Sequence, residues 1–366
     1  MDIAIVGAFG SVGRQLAMQI LDERILDRSC TLQLVARHGG LSEREMFGMR
    51  SDLADAFADD APSIEVCADA HDVSADIVVM LAGASVPRDL HAPPDRAALG
   101  AQNLGIFRSY ADALAAQHRD VTVIVQSNPV ELGVDVFARA LGRQRVLGAG
   151  SWNDTLRFRR ELASYFGVRR PDVAATMLGE HGGHMVPVWS RVRIRSLDPE
   201  TVRAGIAAIR HDRPLRAFPD EIAHHRGEIL GRVVDGDIAG AYAALERLPP
   251  DVRSAVKPFF IHFTSGRTTE VATAHAVVDI ARAIMRGERT AVTAQVLLDG
   301  EFCGLDGVMG AAVVLDGSGW SEVIDTDLAD DEAQSVHAAA DAIRASIAAA
   351  ERPAGAPPAA GPSAAG

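Results

Sequence analysis

A chain of 366 residues with 48% hydrophobic and 23% charged side chains has the balance of a globular protein, long enough for two domains that each bury a core. Its formal charge of −13 argues against a nucleic-acid partner, because phosphate backbones are held by fields of Lys and Arg. A small acidic ligand stays compatible with that charge if arginines cluster locally. The three cysteines, Cys30, Cys67 and Cys303, are odd in number and widely spaced, which argues against a disulfide framework or a zinc site. No apolar run approaches the ~20 residues needed to cross a bilayer, so no membrane partner is expected. The strand-like N-terminus lacks the layout of a signal peptide, and with free thiols the expected location is the cytoplasm.

In chain order, Ile3–Val6 reads as a short buried strand, and residues 11–25 carry a helical stripe through Val12, Leu16, Ile20 and Leu21. Residues 32–35, 64–67, 77–81 and 121–125 read as further strands, with helices at 95–117 and Val130–Leu141. This βαβ rhythm predicts a doubly wound, mostly parallel sheet with helices on both faces, occupying residues 1–150. Past Gly150 the pattern becomes α+β and predicts a second, substrate domain over residues 151–350. Its expected elements are a helix at 154–166, short strands near Met177 and Val188, helical sequence at 199–248 and a helix at 268–285. Strands at 291–298 and 310–315 and a last helix at Asp330–Ala350 complete it. Residues 351–366 are Pro/Gly-rich and aperiodic, the composition of a disordered tail.

Gly7, Gly10 and Gly13 form G-x-x-G-x-x-G between the first strand and the first helix. The chain must turn sharply there while its backbone approaches a pyrophosphate on the helix N-terminus, and a Cβ would obstruct both. The bland reading is an ordinary tight turn, but the placement is that of a Rossmann dinucleotide site, with Ser11 and Val12 adding backbone donors. Strand two runs into Leu34-Val35-Ala36-Arg37-His38, with no acid to accept from a ribose 2′-hydroxyl. Arg37 would instead grip a 2′-phosphate, so NADP is the expected cofactor and NAD the alternative.

Four further segments stand out. Ala82-Gly83 is followed by Pro87-Arg88, then Arg96-Ala97-Ala98-Leu99 and Asn103; Gln126-Ser127-Asn128-Pro129-Val130 ends a strand. Asn153-Asp154-Thr155-Leu156-Arg157-Phe158-Arg159 comes third, and Gly179-Glu180-His181-Gly182 with Val186-Pro187-Val188-Trp189-Ser190 comes fourth. In this order behind a glycine loop they resemble the lactate/malate dehydrogenase family, over about residues 1–200 and again from Thr268 to about Ile347.

Reduction of a 2-oxo acid needs a proton donor at the ketone oxygen, a cation for the carboxylate and a hydride donor opposite. His181 suits the first task because imidazole titrates near neutrality, although a His in a Gly-rich loop is more often structural. Arg157 shares a helix face with Asp154 three residues earlier and offers a fork that matches a carboxylate, with Arg159 and Arg160 as rivals. Asp154 also reads as a helix N-cap, and Asn128 as an Asn-Pro turn residue.

The resemblance implies that Asp154 pairs with His181, that Arg96 polarises the ketone from a mobile loop, and that Asn128 binds substrate and places the nicotinamide. It implies cofactor contacts for Ala82, Gly83, Asn103 and Asn128, and puts Thr269 at the substrate's variable end. Arg88 after Pro87 matches the arginine that favours a second carboxylate, hence a malate/oxaloacetate-like substrate. The loop departs from the family pattern, however: it is several residues longer, lacks the usual Lys-Pro-Gly and contains His91. A specialised 2-hydroxy acid is therefore the alternative substrate, and a non-catalytic NAD(P)-binding sensor the alternative function. A related NAD-dependent glycosidase would want a cysteine near the Asn-Pro turn, where Ser127 stands. The resemblance also implies a homodimer or homotetramer. Residues 205–265 are a second departure; they hold His211, His224, His225 and His262, without a convincing spacing for a closed metal site, so no metal is expected and the region reads as surface helices or a subunit contact.

Overall fold

The computed structural model describes residues 1–84, 96–265 and 268–352, with the backbone alone at Leu41 and residues 96–98. The expected tail beyond residue 352, the loop at 85–95 and residues 266–267 lie outside the described residues.

The first half is a parallel sheet wound in two directions. It contains β1 (Ile3–Val6), β2 (Thr31–Val35), β3 (Ser63–Cys67), β4 (Ile77–Met80), β5 (Thr122–Val125) and β6 (Val146–Gly148). The strand order is β3-β2-β1-β4-β5-β6, with every pairing parallel. The central β1 and β4 are wholly apolar because both faces are covered, whereas β2 carries Gln33 and the edge strand β3 exposes Ser63 and Glu65. Ile3, Ile5, Leu32, Leu34, Ile77, Val79 and Ile124 point into one core, while Ala4, Val6, Val35, Val78, Met80, Val123 and Val125 point into the other. The first core takes Leu16, Ala17 and Ile20 of α1 (Ser11–Asp22) and Met46, Met49 and Leu53 of α2 (Leu41–Ala56). The opposite core takes Leu104, Phe107 and Leu114 of α3 (Arg96–Ala116), and Leu132, Val134 and Phe137 of α4 (Val130–Leu141).

The sheet does not stop at β6. After α5 (Gly150–Phe166) come β7 (Val173–Ala174), β8 (Met177–Gly179), β9 (Met185–Pro187) and β10 (Arg193–Ile194). The helices α6 (Pro199–Arg210), α7 (Phe218–Val234), α8 (Ile238–Glu246), α9 (Pro250–Thr264) and α10 (Glu270–Met285) follow. Then come β11 (Ala291–Asp299), β12 (Asp306–Asp316), β13 (Gly319–Val323) and α11 (Asp330–Ala350). Gly148 of β6 pairs antiparallel with Gln295 of β11, and the sheet continues β11-β12-β8-β9, with β13 on β12. The helical sequence at 199–248 divides into three helices: His211 and Asp212 adopt positive φ (41° and 59°) with Pro214 following, and Gly236 at φ 79° separates α7 from α8. Val188 lies just past β9 instead of within a strand. Among the described residues no helix is long and apolar enough to cross a membrane.

The strand order reverses between β1 and β4. The carboxyl ends of β1, β4 and β5 therefore open into one crevice, the place where this architecture receives ligands.

Candidate active site

One wall of the crevice is the glycine turn. Gly7 takes φ +90°, donates to the Val35 carbonyl and accepts from the Gly10 N–H, both at 3.1 Å. A Cβ on Gly13 would lie 2.4 Å from the Gly7 carbonyl oxygen and 2.7 Å from the Ala8 backbone, so this glycine lets α1 press against the turn. Gly10 differs: the nearest atom to a Cβ there is the Gly7 oxygen at 3.4 Å. Behind it, α1 starts with neither a side-chain cap nor an acid in its first turn, so the backbone donors at Ser11 and Val12 face no competing carboxylate. This cradle fits a dinucleotide pyrophosphate. Arg37 is exposed just beyond β2, its N–H donating to the Ser42 hydroxyl at 3.2 Å.

Between β4 and β5 the crevice is tied by side chains. The Ser127 hydroxyl donates to the carbonyls of Met80 (3.1 Å) and Ala82 (2.8 Å). Asn103 is fully buried; its amide donates to the carbonyls of Asn128 (2.6 Å) and Ala84 (3.1 Å) and accepts from the Ala84 N–H at 2.7 Å. These bonds fix Asn103 to the backbone on either side of the crevice. Its polar atoms hold Gly83, Ala84 and Asn128 in place from behind. Val12, Gly83 and Asn128 line the cavity, and the Asn128-Pro129 peptide is cis.

The chemical centre lies where α5 meets the β8–β9 turn. Thr155 of α5 accepts from the Met177 N–H at 2.9 Å and pairs with Thr293 of β11 at 2.8 Å, seating the helix on the sheet. Phe158 meets the Trp189 ring edge-on with centroids 5.1 Å apart, so two of the sequence segments pack directly on each other. Asp154 consequently faces His181, with Oδ2 2.7 Å from Nδ1. Arg157 donates to the other Asp154 oxygen at 3.2 Å and to the Thr269 hydroxyl at 2.7 Å. Arg159 donates to the Ala175 carbonyl and stacks on Trp152, which leaves Arg157 as the arginine of this helix that joins His181. Because α5 begins at Gly150, Asp154 lies inside the helix, and the N-cap reading is overturned.

The electrostatics follow from that geometry. Burial pulls the His181 imidazole down, but the charge and hydrogen bond of Asp154 more than reverse this, so its pKa is raised. Burial alone would raise Asp154; His181 and Arg157 outweigh it and hold the carboxyl below its ordinary range. Glu131, buried on α4, accepts from the His181 N–H at 2.7 Å and from Gln295 Nε2 at 3.3 Å. Burial and the neighbouring Glu180 push its carboxyl up.

A cavity of about 340 Å³ joins both sides. Val12, Gly83 and Asn128 line it together with Asp154, Arg157, His181 and Thr269. Arg88 and His91 lie outside the described residues, and Arg96 opens α3 with its side chain outside them. Four participants were missed by sequence reasoning. Glu131, which accepts from the His181 backbone, and Gln295, which donates to Glu131 from 164 positions away, give no local signal. Arg226 and His262, in the region set aside as surface helix, line the same cavity. Elsewhere, ligand-capable atoms of His224, His225 and Glu228 on α7 lie within 4.8 Å of one another, a grouping that spacing alone did not reveal. His225 Nδ1 and a Glu228 oxygen are 3.3 Å apart, so a hydrogen bond already accounts for that pair.

A sheet that holds a dinucleotide crevice beside a buried His–Asp–Arg constellation defines an oxidoreductase of the nicotinamide-dependent kind. The family models agree: lactate/malate dehydrogenase, NAD binding domain, matches residues 1–148, and the family's alpha/beta C-terminal domain matches residues 153–229 and 256–353. The chain belongs to the lactate/malate dehydrogenase family. It is 28% identical over 351 residues to the malate dehydrogenase of Methanothermobacter thermautotrophicus, covering 94% of this chain and 95% of that one. To the L-lactate dehydrogenase of Bacillus caldolyticus it is 30% identical over 277 residues, 75% of each chain. In fold it is similar to the lactate dehydrogenase of Cryptosporidium parvum crystallised with lactic acid and nicotinamide adenine dinucleotide. There the TM-score is 0.75 at 20% identity, covering 96% of this chain and 98% of that one. The Aeropyrum pernix malate dehydrogenase gives 0.72 at 21% identity, covering 95% and 97%.

Proposed function

We propose that this dehydrogenase interconverts a 2-oxo acid and its 2-hydroxy acid with NADPH as preferred reductant, and favours a malate/oxaloacetate-like dicarboxylate. The observation that carries this is the His181–Asp154–Arg157–Thr269 chain of contacts within one cavity beside the glycine turn.

The backbone of Gly7, Gly10, Ser11, Val12 and Gly13 would hold the pyrophosphate, and Arg37 the 2′-phosphate. When bound, the reduced cofactor supplies the hydride for C2. Arg157 takes the substrate carboxylate, its plane steadied by Asp154 on one side and Thr269 on the other. His181, kept protonated by Asp154, gives the proton on Nε2 to the carbonyl oxygen and ends neutral, with Nδ1–H directed at Asp154. In the oxidative direction the neutral ring takes the hydroxyl proton back. Arg96 polarises the ketone, Asn128 orients the substrate, and Arg88 reads the second carboxylate.

The relatives are named for malate in one case and for lactate in another at nearly equal identity, so the substrate must be decided by assay. A panel of oxaloacetate, pyruvate, branched and phosphonate-bearing 2-oxo acids, followed by loss of reduced cofactor, should give turnover with oxaloacetate highest. No turnover on any member contradicts the proposal. NADPH should exceed NADH in kcat/KM; at least about tenfold preference for NADH removes the role of Arg37.

A further inference from the structure

The far wall of the catalytic cavity comes from α7 and α9, which contribute Arg226, Ala255, Pro258, Phe259 and His262. The family's C-terminal model matches Arg226, Pro258, Phe259 and His262 and passes over residues 230–255 between them, which hold the end of α7, α8 and the first turns of α9.

The wall is firmly built. Arg213 bridges the two helices, donating to Glu221 of α7 at 2.6 Å and to both oxygens of Asp251 of α9 at 3.0 Å. Arg253 and Lys257 of α9 both reach the buried Glu161 of α5, at 2.6 and 3.0 Å, fastening α9 to the helix that carries Asp154 and Arg157. Arg226 is itself fixed: Nη2 donates to the carbonyls of Gly182 (2.8 Å) and Ala255 (3.2 Å), and the guanidinium lies 5.6 Å from the Phe259 ring centroid. Gly182 immediately follows His181, so Arg226 stands next to the proton donor. A guanidinium and an imidazole held on rigid helices beside a reacting centre fit the recognition of an anion.

The carboxylates that line the cavity are Asp154, Glu131 and Glu180. Asp154 is engaged by His181 and Arg157, Glu131 by the His181 N–H and Gln295, and Glu180 by the His184 backbone and ring at 3.0 and 2.8 Å.

We infer that Arg226 and His262 form a second anion subsite on the α7–α9 wall, which selects 2-oxo acids whose tail ends in a carboxylate or phosphonate. The subsite presupposes the dehydrogenase activity proposed above and adds Arg226 and His262 to Arg88 as residues that read the substrate's distal end.

The test compares kcat/KM for anionic and neutral tails: oxaloacetate with 2-oxobutyrate, 2-oxoglutarate with 2-oxopentanoate, and phosphonopyruvate with 2-oxobutyrate. The full chain is assayed as wild type, Arg226→Met, Arg226→Lys and His262→Phe. The anionic-to-neutral ratio should fall at least about tenfold in Arg226→Met, mainly through KM, and recover partly in Arg226→Lys. His262→Phe should lower the ratio in the same direction. The pair most affected tells carboxylate from phosphonate. An unchanged ratio in both Arg226→Met and His262→Phe, whatever the absolute loss, overturns the subsite and leaves Arg226 as a clamp on the His181 loop. Wild-type preference for neutral tails overturns it equally while leaving the dehydrogenase reading standing. No turnover on any 2-oxo acid removes both.

Discussion

Gly150 lies directly against the His181 ring: a Cβ at this position would sit 2.7 Å from His181 Cγ and 3.0 Å from its Cβ. Gly150 is also the first residue of α5, the helix that one turn later presents Asp154 to the same imidazole. The close approach of helix and loop therefore sets the 2.7 Å Nδ1–Oδ2 distance, and any side chain at 150 must push the ring away from its partner.

Gly150→Ala should accordingly impair chemistry more than folding. Overpacking costs about 1–3 kcal/mol in stability, while an ångström of misplacement of a proton donor costs about 10²-fold in rate. The expected result is a kcat lower by about 10- to 100-fold with cofactor affinity within about threefold of wild type. Steady-state kinetics and cofactor titration on one preparation check it, and a proportional loss of both points to general unfolding instead.

The two later glycines of the N-terminal turn should separate folding from binding. Gly13→Ala drives a methyl into the Gly7 carbonyl and the Ala8 backbone, so it should lower Tm and cofactor affinity together. Gly10→Ala meets protein no nearer than 3.4 Å, so Tm should hold while cofactor affinity falls by about tenfold or more, the methyl standing where the pyrophosphate must approach. Calorimetry beside cofactor titration distinguishes them. A Gly10→Ala variant with undiminished affinity would show that the pyrophosphate lies elsewhere.

The pH dependence follows from the shifted pair. His181 is raised in the folded protein, so its contribution to stability is complete below the unfolded imidazole value of about 6.5 and is lost as pH rises through the folded value. Asp154 is lowered, so its contribution is present above the unfolded carboxylate value and is lost as pH falls through the folded one. Reduction, which consumes imidazolium, should fall at high pH, and the oxidative direction should rise. Asp154→Asn removes the main force holding His181 up, so the fall in reduction should move to lower pH, and the Tm gap from wild type should narrow as pH rises. An unmoved profile in Asp154→Asn contradicts the pairing.

Legibility of the chain divides along physical lines. The parallel strands were readable because burial on both faces leaves runs such as Ile3–Val6 wholly apolar, and α11 lies about where its periodicity put it. Asp154 and Arg157 were readable as an i, i+3 pair on one helix face. The three-residue β6 is too short to announce itself, and α5 starts four residues before its expected first residue because Gly-Ser-Trp-Asn carries no periodic signal. Glu131 and Gln295 meet at the His181 loop although 164 positions separate them. Arg226 and His262 looked like parts of surface helices, since only the packing of α7 against α9 turns them toward the cavity.

The account stands or falls on His181 as the group that moves the substrate's proton. Turnover of His181→Asn, measured with cofactor affinity on the same sample, tests this most directly. A fall in kcat of at least about 10²-fold with unchanged cofactor Kd is the predicted result. Turnover equal to wild type would contradict it.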